Sequence, residues 1–121
     1  MTGPDRPAKV LPVQGTGLST VVLTQRAAER IGLKTEPVRQ VATAAGPPGL
    51  TVPLAALVYD KNGGTWVYTV TRPLNFLRQR VNVTRIEGDV AVLQTGPAPG
   101  TAVATVGAAE LLGAEYGVEG R

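Results

Sequence analysis

Short segments in which apolar and polar residues alternate recur along the chain, each bounded by turn-forming residues. Alternation with a period of two is the pattern of a strand with one buried face. Residues 33–42 alternate only loosely and are interrupted by Pro37, which is typical of an edge strand because proline cannot donate to a central ladder. The other segments predicted to form strands are 19–23, 55–59, 65–71, 74–86, 90–93 and 101–106, of which 65–71 and 74–86 alternate and 55–59 is a short apolar run.

Two further segments have helical character. Thr24 can cap a short helix over Gln25–Ile31, and Gly32 fits the position after its last turn. Residues 108–112 favour a single helical turn. With tight turns between the strands, the sequence therefore predicts a mostly β fold. We expect a small antiparallel β barrel or sandwich of about six strands with one or two short helices.

The distribution of Gly and Pro divides the chain into three parts. Residues 1–18 are rich in both and poor in apolar side chains, which indicates a flexible N-terminal segment. Residues 19–113 carry the predicted strands as one β domain, within which 44–50 (AAGPPGL) form a turn or a linker. Residues 114–121 are expected to be a flexible tail. The length of 121 residues is consistent with a single domain.

One predicted turn collects most of the aromatic residues. Residues 59–68 read YDKNGGTWVY and contain the single Trp and two of the three Tyr. The NGG sequence tolerates the positive φ of a tight hairpin, and alternation places Trp66, Tyr68 and Val70 on one face of the second strand. The pattern favours a hairpin covered by cross-strand aromatic pairs. The alternative is a stacking platform for a small ligand or a glycan.

Composition excludes several kinds of chemistry. Because the chain has no Cys and no His, it cannot form disulfides, thiolate ligands or a histidine general base. Glu87 and Asp89 lie in a predicted turn, where acids are commonly solvated, and no carboxylate pair is indicated for catalysis. Asp60 is typical of a turn acid. It also begins a sequence like part of a calcium loop, but the twelfth position is Thr71. The sequence therefore predicts no enzyme, no cofactor and no metal site.

Charge and hydropathy bear on the partners. The net charge is +3, and no helix carries a basic stripe, so nucleic acid is not predicted as a partner. Arg78 and Arg80 point to the same face of a predicted strand. This face is either simply solvated or a docking patch for a protein or an anionic lipid surface. No apolar run approaches the length of about 18 residues needed to span a membrane. The opening residues, MTGPDRPAKV, lack the apolar segment of a signal peptide.

The order of three motifs resembles that of a known family. Residues 52–70 read VPLAALVYDKNGGTWVYTV, residues 78–83 read RQRVNV, and residues 92–111 read VLQTGPAPGTAVATVGAAEL. This order is similar to the C-terminal part of periplasmic adaptor proteins, the membrane fusion proteins of the HlyD-like class that serve tripartite efflux pumps. The places of the family's terminal motif are held by Gly96, Gly100, Val103, Gly107 and Leu111. Pro-Ala-Pro stands where the family usually has Leu.

The resemblance covers about residues 19–113 and implies a β-rich membrane-proximal domain. Residues 21–38 look like the segment that precedes the lipoyl half-motif, and in the family this segment pairs with the C-terminal one. The lipoyl signature and the long α-hairpin, which contacts the outer-membrane channel, are missing from this sequence. A channel contact is therefore not expected. Met1 is the sole Met, so a metal relay is not expected either.

These features predict a non-catalytic, extracytoplasmic interaction module that docks on a membrane transporter or another envelope protein, or associates with itself. The expected partner-binding residues are Trp66, Tyr68, Arg78 and Arg80. Membrane association would come through the partner or through an anchor removed from this chain. The alternative is a small-ligand or glycan-binding β module that uses Trp66, Tyr68 and Tyr59.

Overall fold

The alternating segments form eleven strands, and two helices accompany them, in the part of the chain that the computed structural model describes, residues 8–15, 17–42 and 49–119. The strands are β1 (Ala8–Val13), β2 (Leu18–Leu23), β3 (Lys34–Pro37), β4 (Arg39–Val41), β5 (Gly49–Pro53), β6 (Val58–Tyr59), β7 (Thr65–Arg72), β8 (Asn75–Arg80), β9 (Asn82–Glu87), β10 (Val90–Thr95) and β11 (Ala102–Val106). The helices are α1 (Gln25–Ile31) and α2 (Ala108–Glu119). A 3-10 turn, Leu54–Ala56, separates β5 from β6.

The strands belong to two antiparallel sheets. The first sheet has seven strands in the order β1-β2-β8-β7-β11-β3, with β6 also paired to β7. The second has four strands in the order β4-β5-β10-β9. The prediction of a mostly β, antiparallel fold is confirmed. The two sheets pack as a sandwich, and the strands of the described ranges do not close into a barrel.

Two of the predicted strands are each divided between the sheets, which is one reason the strand count exceeds six. Residues 33–42 form β3 and β4 on either side of Val38, and residues 74–86 form β8 and β9 on either side of Val81. Both valines are buried in the core between the sheets. The chain therefore changes sheet at a residue whose side chain fills the interior. Strands β3 and β4 both lie at sheet edges, as the interruption by Pro37 predicts.

The first sheet is covered on both faces, because α1 and α2 pack on one and the second sheet on the other. The core beneath the helices includes Val21, Leu23, Ala28, Val58, Tyr68, Phe76, Ala104, Ala108 and Leu111. The core between the sheets includes Val38, Val52, Ala56, Leu57, Val67, Val81, Ala91, Leu93 and Val103. Neighbouring residues of β7 thus point into different cores, since Val67 faces the second sheet and Tyr68 faces the helices. Strand alternation in the sequence predicts this division.

Helix α1 follows its local sequence signals. The Thr24 hydroxyl oxygen accepts a hydrogen bond of 3.0 Å from the Ala27 N–H, which satisfies one of the free donors of the first turn. Gly32 adopts a left-handed φ of 69° after the last turn, and its N–H donates to the helix carbonyls. The predicted bounds and both caps are confirmed.

Both ends of the described chain differ from the sequence prediction. The expectation of a flexible segment over 1–18 is wrong for β1, which pairs with β2 along its whole length. The expectation of a flexible tail over 114–121 is wrong as far as α2 extends, because that helix continues to Glu119. The β domain therefore begins before residue 19 and ends after residue 113.

Parts of three predictions lie outside the described residues. These parts are residues 1–7 and 16 of the N-terminal segment, residues 120 and 121 of the tail, and residues 44–48 of the predicted turn. The end of that turn, at Gly49, is instead the first residue of β5.

The connection from β11 to α2 depends on a glycine. Gly107 has a φ of +95°, and a Cβ added there would lie 3.0 Å from Leu33 Cδ1. We expect Gly107→Ala to lower the free energy of unfolding by about 1–3 kcal/mol, because alanine strains this conformation and crowds the Leu33 side chain. Urea unfolding followed by circular dichroism measures the change.

Gly113→Ala is the matched control for that substitution. Gly113 lies on the exposed side of α2, and a Cβ there would meet no atom within 4 Å. Alanine has the higher helix propensity, so we expect this variant to unfold with a free energy about 0.5–1 kcal/mol higher than the wild type. Equal effects of the two substitutions would contradict the role assigned to Gly107.

Candidate functional site

The pairing of β7 with β8 sets three residue pairs directly opposite one another on the helix-facing side of the first sheet. They are Val70 with Phe76, Tyr68 with Arg78, and Trp66 with Arg80. The register confirms that Trp66, Tyr68 and Val70 share a face, and that the two arginines point the same way. Exposure increases along this series, because the first two pairs lie beneath the helices while Arg80 is exposed and Trp66 is partly exposed.

In the middle pair, Tyr68 and Arg78, the charge of the arginine is neutralised by a carboxylate from α2. Glu115 is fully buried, and its Oε1 accepts hydrogen bonds from Tyr68 Oη at 2.8 Å and Arg78 Nε at 2.9 Å. Its Oε2 accepts from Arg78 Nη2 and from the Ser19 backbone N–H, each at 3.2 Å. The four donors come from β2, β7 and β8, which are neighbours in the sheet. One carboxylate therefore joins the helix to three strands through a bidentate, charge-assisted contact.

The two arginines both lie over the indole ring of Trp66. The guanidinium carbon of Arg78 is 4.5 Å from the ring centroid, and that of Arg80 is 5.5 Å away. A cation over an indole face is stabilised by about 0.5–2 kcal/mol, depending on how far it is removed from water. Trp66 therefore continues the polar cluster from the buried Arg78 out to the exposed Arg80.

Asp60 fixes the hairpin turn that joins β6 to β7. Its Oδ1 accepts hydrogen bonds from the Asn62 N–H at 2.8 Å and the Gly64 N–H at 2.7 Å. Its Oδ2 accepts from Trp66 Nε1 at 2.8 Å. The indole donor and the Gly64 and Asn62 amides lower the pKa of this carboxyl below its ordinary value, with a further contribution from the positive charge of Arg80. The turn and the Trp66 ring are consequently held as one unit.

Close packing at Gly64 is part of this turn. A Cβ at this position would lie 2.6 Å from Asp60 Oδ2 and 3.2 Å from Arg80 Cζ. Only glycine lets the carboxylate and the guanidinium approach the backbone so closely. The hairpin turn and the end of β8 thus meet at Gly64, with Asp60 on one side and Arg80 on the other.

An open groove of about 480 Å³ begins at this point and continues to the start of β9. Its lining is formed by Gly63, Gly64, Thr65, Arg80, Val81, Asn82, Val83 and Thr95. The lining residues with polar side chains are Arg80, Asn82, Thr65 and Thr95. Among the residues of 8–15, 17–42 and 49–119, Arg80 makes no salt bridge within 4 Å.

The four residues predicted to bind a partner are brought together, but only two of them reach the surface. Tyr68 is 0% exposed and Arg78 is 6% exposed, so neither can contact a partner, and that prediction is wrong for both. The interpretation of Arg78 as part of a solvated strand face is wrong for the same reason. Trp66 and Arg80 remain accessible at the edge of the cluster.

The predicted aromatic cover of the hairpin is only partly formed. Tyr59 pairs with Thr65, so it lies on the face opposite Trp66 and is 56% exposed. Tyr68 is buried beneath α2 rather than at the turn. The aromatic residues therefore do not form one stacking platform, which the glycan-binding alternative requires. Asp60, interpreted from the sequence as a turn acid, does have that role and binds the indole as well.

The sequence analysis missed Glu115, the acceptor on which the cluster depends. A signal was present, because Ala108, Leu111 and Glu115 follow the three-to-four-residue spacing of one helix face. The expected flexible tail obscured it. A buried acid among apolar residues at helical spacing requires a basic partner, and Arg78 is that partner.

No protein-family model matches the chain, and no curated protein matches its sequence. Within the described ranges, neither helix has both the length and the hydropathy that a membrane span requires. The same residues contain no group of three or more acids that could hold a metal ion.

The buried ion pair gives a testable energetic coupling. We expect Arg78→Met and Glu115→Leu each to lower the free energy of unfolding by about 3–5 kcal/mol, because each leaves a desolvated charge without its partner. The double variant should be less destabilised than the sum of the two single effects, by at least about 2 kcal/mol. Urea unfolding of all four proteins measures the cycle, and additive effects would contradict the coupling.

Arg85→Met is the control for loss of an arginine on the adjoining strand. Arg85 makes an exposed salt bridge with Glu87. Exposed pairs contribute less than about 1 kcal/mol, so this variant should unfold at nearly the same urea concentration as the wild type. If Arg85→Met and Arg78→Met were equally destabilising, burial would not be the source of the effect.

The lowered pKa of Asp60 predicts how stability depends on pH. A carboxyl whose pKa is lower in the folded state stabilises the fold above its unfolded pKa of about 3.9, and this contribution is lost as the pH falls through the folded value. We expect the melting temperature of the wild type to fall in this acidic range more steeply than that of Asp60→Asn. Thermal melts between about pH 6 and pH 2.5 measure the difference.

Asp89→Asn is the matched control, because Asp89 also lies in an exposed hairpin turn. This variant tests for a general effect of removing one carboxylate. If Asp60→Asn and the wild type lost stability in parallel over the acidic range, the hydrogen bonds to Asp60 would not be responsible.

Proposed function

We propose that the chain is a non-catalytic interaction module of the extracytoplasmic cell envelope, similar to the membrane-proximal domain of an efflux adaptor. It docks on a membrane transporter or another envelope protein, or on a second copy of itself. Its contact surface is the hairpin tip, defined as residues 61–64 together with Trp66 and Arg80. Membrane association comes through the docked partner or through a membrane anchor.

The first support is the order of the motifs together with the position of their strands. Strands β2 and β11 lie in the same sheet, and Val21 and Ala104 contribute to the same core. The family resemblance requires such an arrangement. In an adaptor, the N-terminal and C-terminal segments of the chain come together and pair within one small domain. Segments in separate layers would have argued against it.

The observation that carries the proposal is the network of contacts that holds the hairpin tip. Asp60 uses both carboxylate oxygens to hold the turn and the indole, and Arg80 lies over that indole. A partner therefore meets a preorganised surface that loses little conformational entropy on binding. Trp and Arg are also enriched among residues that dominate binding energy at protein interfaces. Lys61 adds a second exposed cation at the turn.

The glycan-binding alternative is less well supported. It relies on Tyr68, which is buried, and on a Trp66 ring that already carries two guanidinium groups. A sugar would have to displace Arg80 before it could stack on that ring. Tryptophan fluorescence that shifts on addition of cell-wall sugars would favour this alternative over docking.

Site-specific photo-crosslinking tests the docking surface. A photoreactive phenylalanine analogue replaces Lys61, and the labelled protein is irradiated in envelope membranes of the organism that encodes the chain. We expect crosslinks to a transporter permease, another envelope protein or a second copy of the chain, identified by mass spectrometry. Proteins that lie close to the hairpin tip in a specific complex should be enriched at least about tenfold.

The same analogue at Arg26 is the matched control. Arg26 is an exposed basic residue on α1, away from the hairpin tip. Its crosslinks should not include the protein captured at position 61. Identical products from the two positions, or only ribosomal and other cytoplasmic proteins from position 61, would contradict the proposal.

A further inference from the structure

The two arginines of β8 differ in one respect that the proposed docking function does not explain. Both point to the same face, both lie over Trp66, and each is directly opposite an aromatic residue of β7. Arg78 binds the carboxylate of Glu115 with two hydrogen bonds. Arg80 makes no salt bridge and no side-chain hydrogen bond with any described residue, and it lines the groove.

The nearest acid cannot supply the missing carboxylate. Asp60 is close enough to Arg80 for the positive charge to lower its pKa. Its two oxygens nevertheless accept three hydrogen bonds, from Asn62, Gly64 and Trp66, and it makes no salt bridge with Arg80. Arg80 is thus a positioned cation whose fork of N–H donors faces no acceptor from the described chain.

The other polar groups of the groove suit a ligand that carries hydroxyl or amide groups beside its charge. Among the lining residues, Thr65 and Thr95 each carry a hydroxyl, which can donate or accept, and Asn82 carries an amide. The volume of about 480 Å³ lies within the range of about 300–1,000 Å³ found for small-molecule sites. The planar guanidinium matches the two oxygens of a carboxylate in a bidentate contact.

We propose that the groove between the hairpin turn and the start of β9 binds a carboxylate that is flanked by hydroxyl or amide groups, with Arg80 as its ion-pair partner. Two sources carry this chemistry, namely a sugar acid and the side chain of a glutamate within a peptide. In the bound state, the external carboxylate occupies for Arg80 the place that Glu115 occupies for Arg78. Asn82, Thr65 and Thr95 bind the neighbouring polar groups. The site does not depend on the proposed docking function.

A titration followed by two-dimensional NMR tests this site in the full chain labelled with nitrogen-15. The probes are N-acetyl-L-glutamate with its neutral counterpart N-acetyl-L-glutamine, and D-glucuronate with its neutral counterpart D-glucose, at constant ionic strength and pH 7. We expect saturable shifts confined to the amide signals of Gly63, Gly64, Thr65, Asn82 and Thr95, and only with the acids. The acid that binds with the higher affinity identifies the source of the carboxylate. Tight binding of either acid supports the carboxylate site.

Variants separate the site from a general effect of charge. Arg80→Gln should weaken binding of the acid at least about tenfold, because hydrogen bonds to charged groups are the strong ones. Thr95→Val removes a groove hydroxyl without touching Trp66 and should weaken binding several-fold. Arg26→Gln removes an exposed arginine on α1 and should bind like the wild type. The spectrum of each free variant verifies that it is folded.

Three results would overturn the proposal. The first is an equal response to an acid and its neutral counterpart. The second is a set of shifts spread over all exposed basic residues, or an equal response to inorganic phosphate, either of which indicates non-specific anion binding. The third is unchanged affinity in a folded Arg80→Gln variant. Because none of these results involves a partner protein, they leave the crosslinking test of docking independent.

Discussion

The carboxylate of Glu115 is the group on which the helix-covered face of the molecule depends. A guanidinium removed from water requires an acceptor of opposite charge, and Glu115 supplies one to Arg78. Because the same carboxylate also binds Tyr68 and the backbone of Ser19, the position of α2 is fixed relative to three strands at once. Apolar contacts alone would allow the helix to slide, since they have no direction.

This ion pair also explains why Arg78 is buried while Arg80, two positions further along β8, is exposed. The helix covers the β7–β8 ladder only as far as Arg78, and the ladder then emerges into solvent at Trp66 and Arg80. Trp66 lies at the boundary and contacts both environments, with one guanidinium from the interior and one from the surface over its ring. Asp60 fixes the outer end as Glu115 fixes the inner one. The accessible side chains of Trp66 and Arg80 are therefore held in place by contacts at both ends of the cluster.

Features encoded over a few adjacent residues could be predicted from the sequence, and features that depend on distant contacts could not. The Thr24 cap, the hairpin turn and the antiparallel strands each follow from local chemistry. The change of sheet at Val81 was missed because alternation continues through it. Only the first turn of helix α2 was predicted, because Gly113 and Gly117 have low helix propensity, which packing against the sheet overrides. In the sequence, Glu115 resembles a solvated acid, because only the fold brings Arg78 next to it.

The order of the network along the chain has a consequence for biosynthesis. Ser19, Tyr68 and Arg78 all leave the ribosome before Glu115, since translation proceeds from the N-terminus. Until the last of these residues emerges, closing the sheet would enclose the Arg78 guanidinium without the Glu115 carboxylate. We therefore expect this face of the nascent strands to stay hydrated until α2 has left the exit tunnel, and the native packing to form only then. Maturation of the domain is in this sense timed by a single late residue.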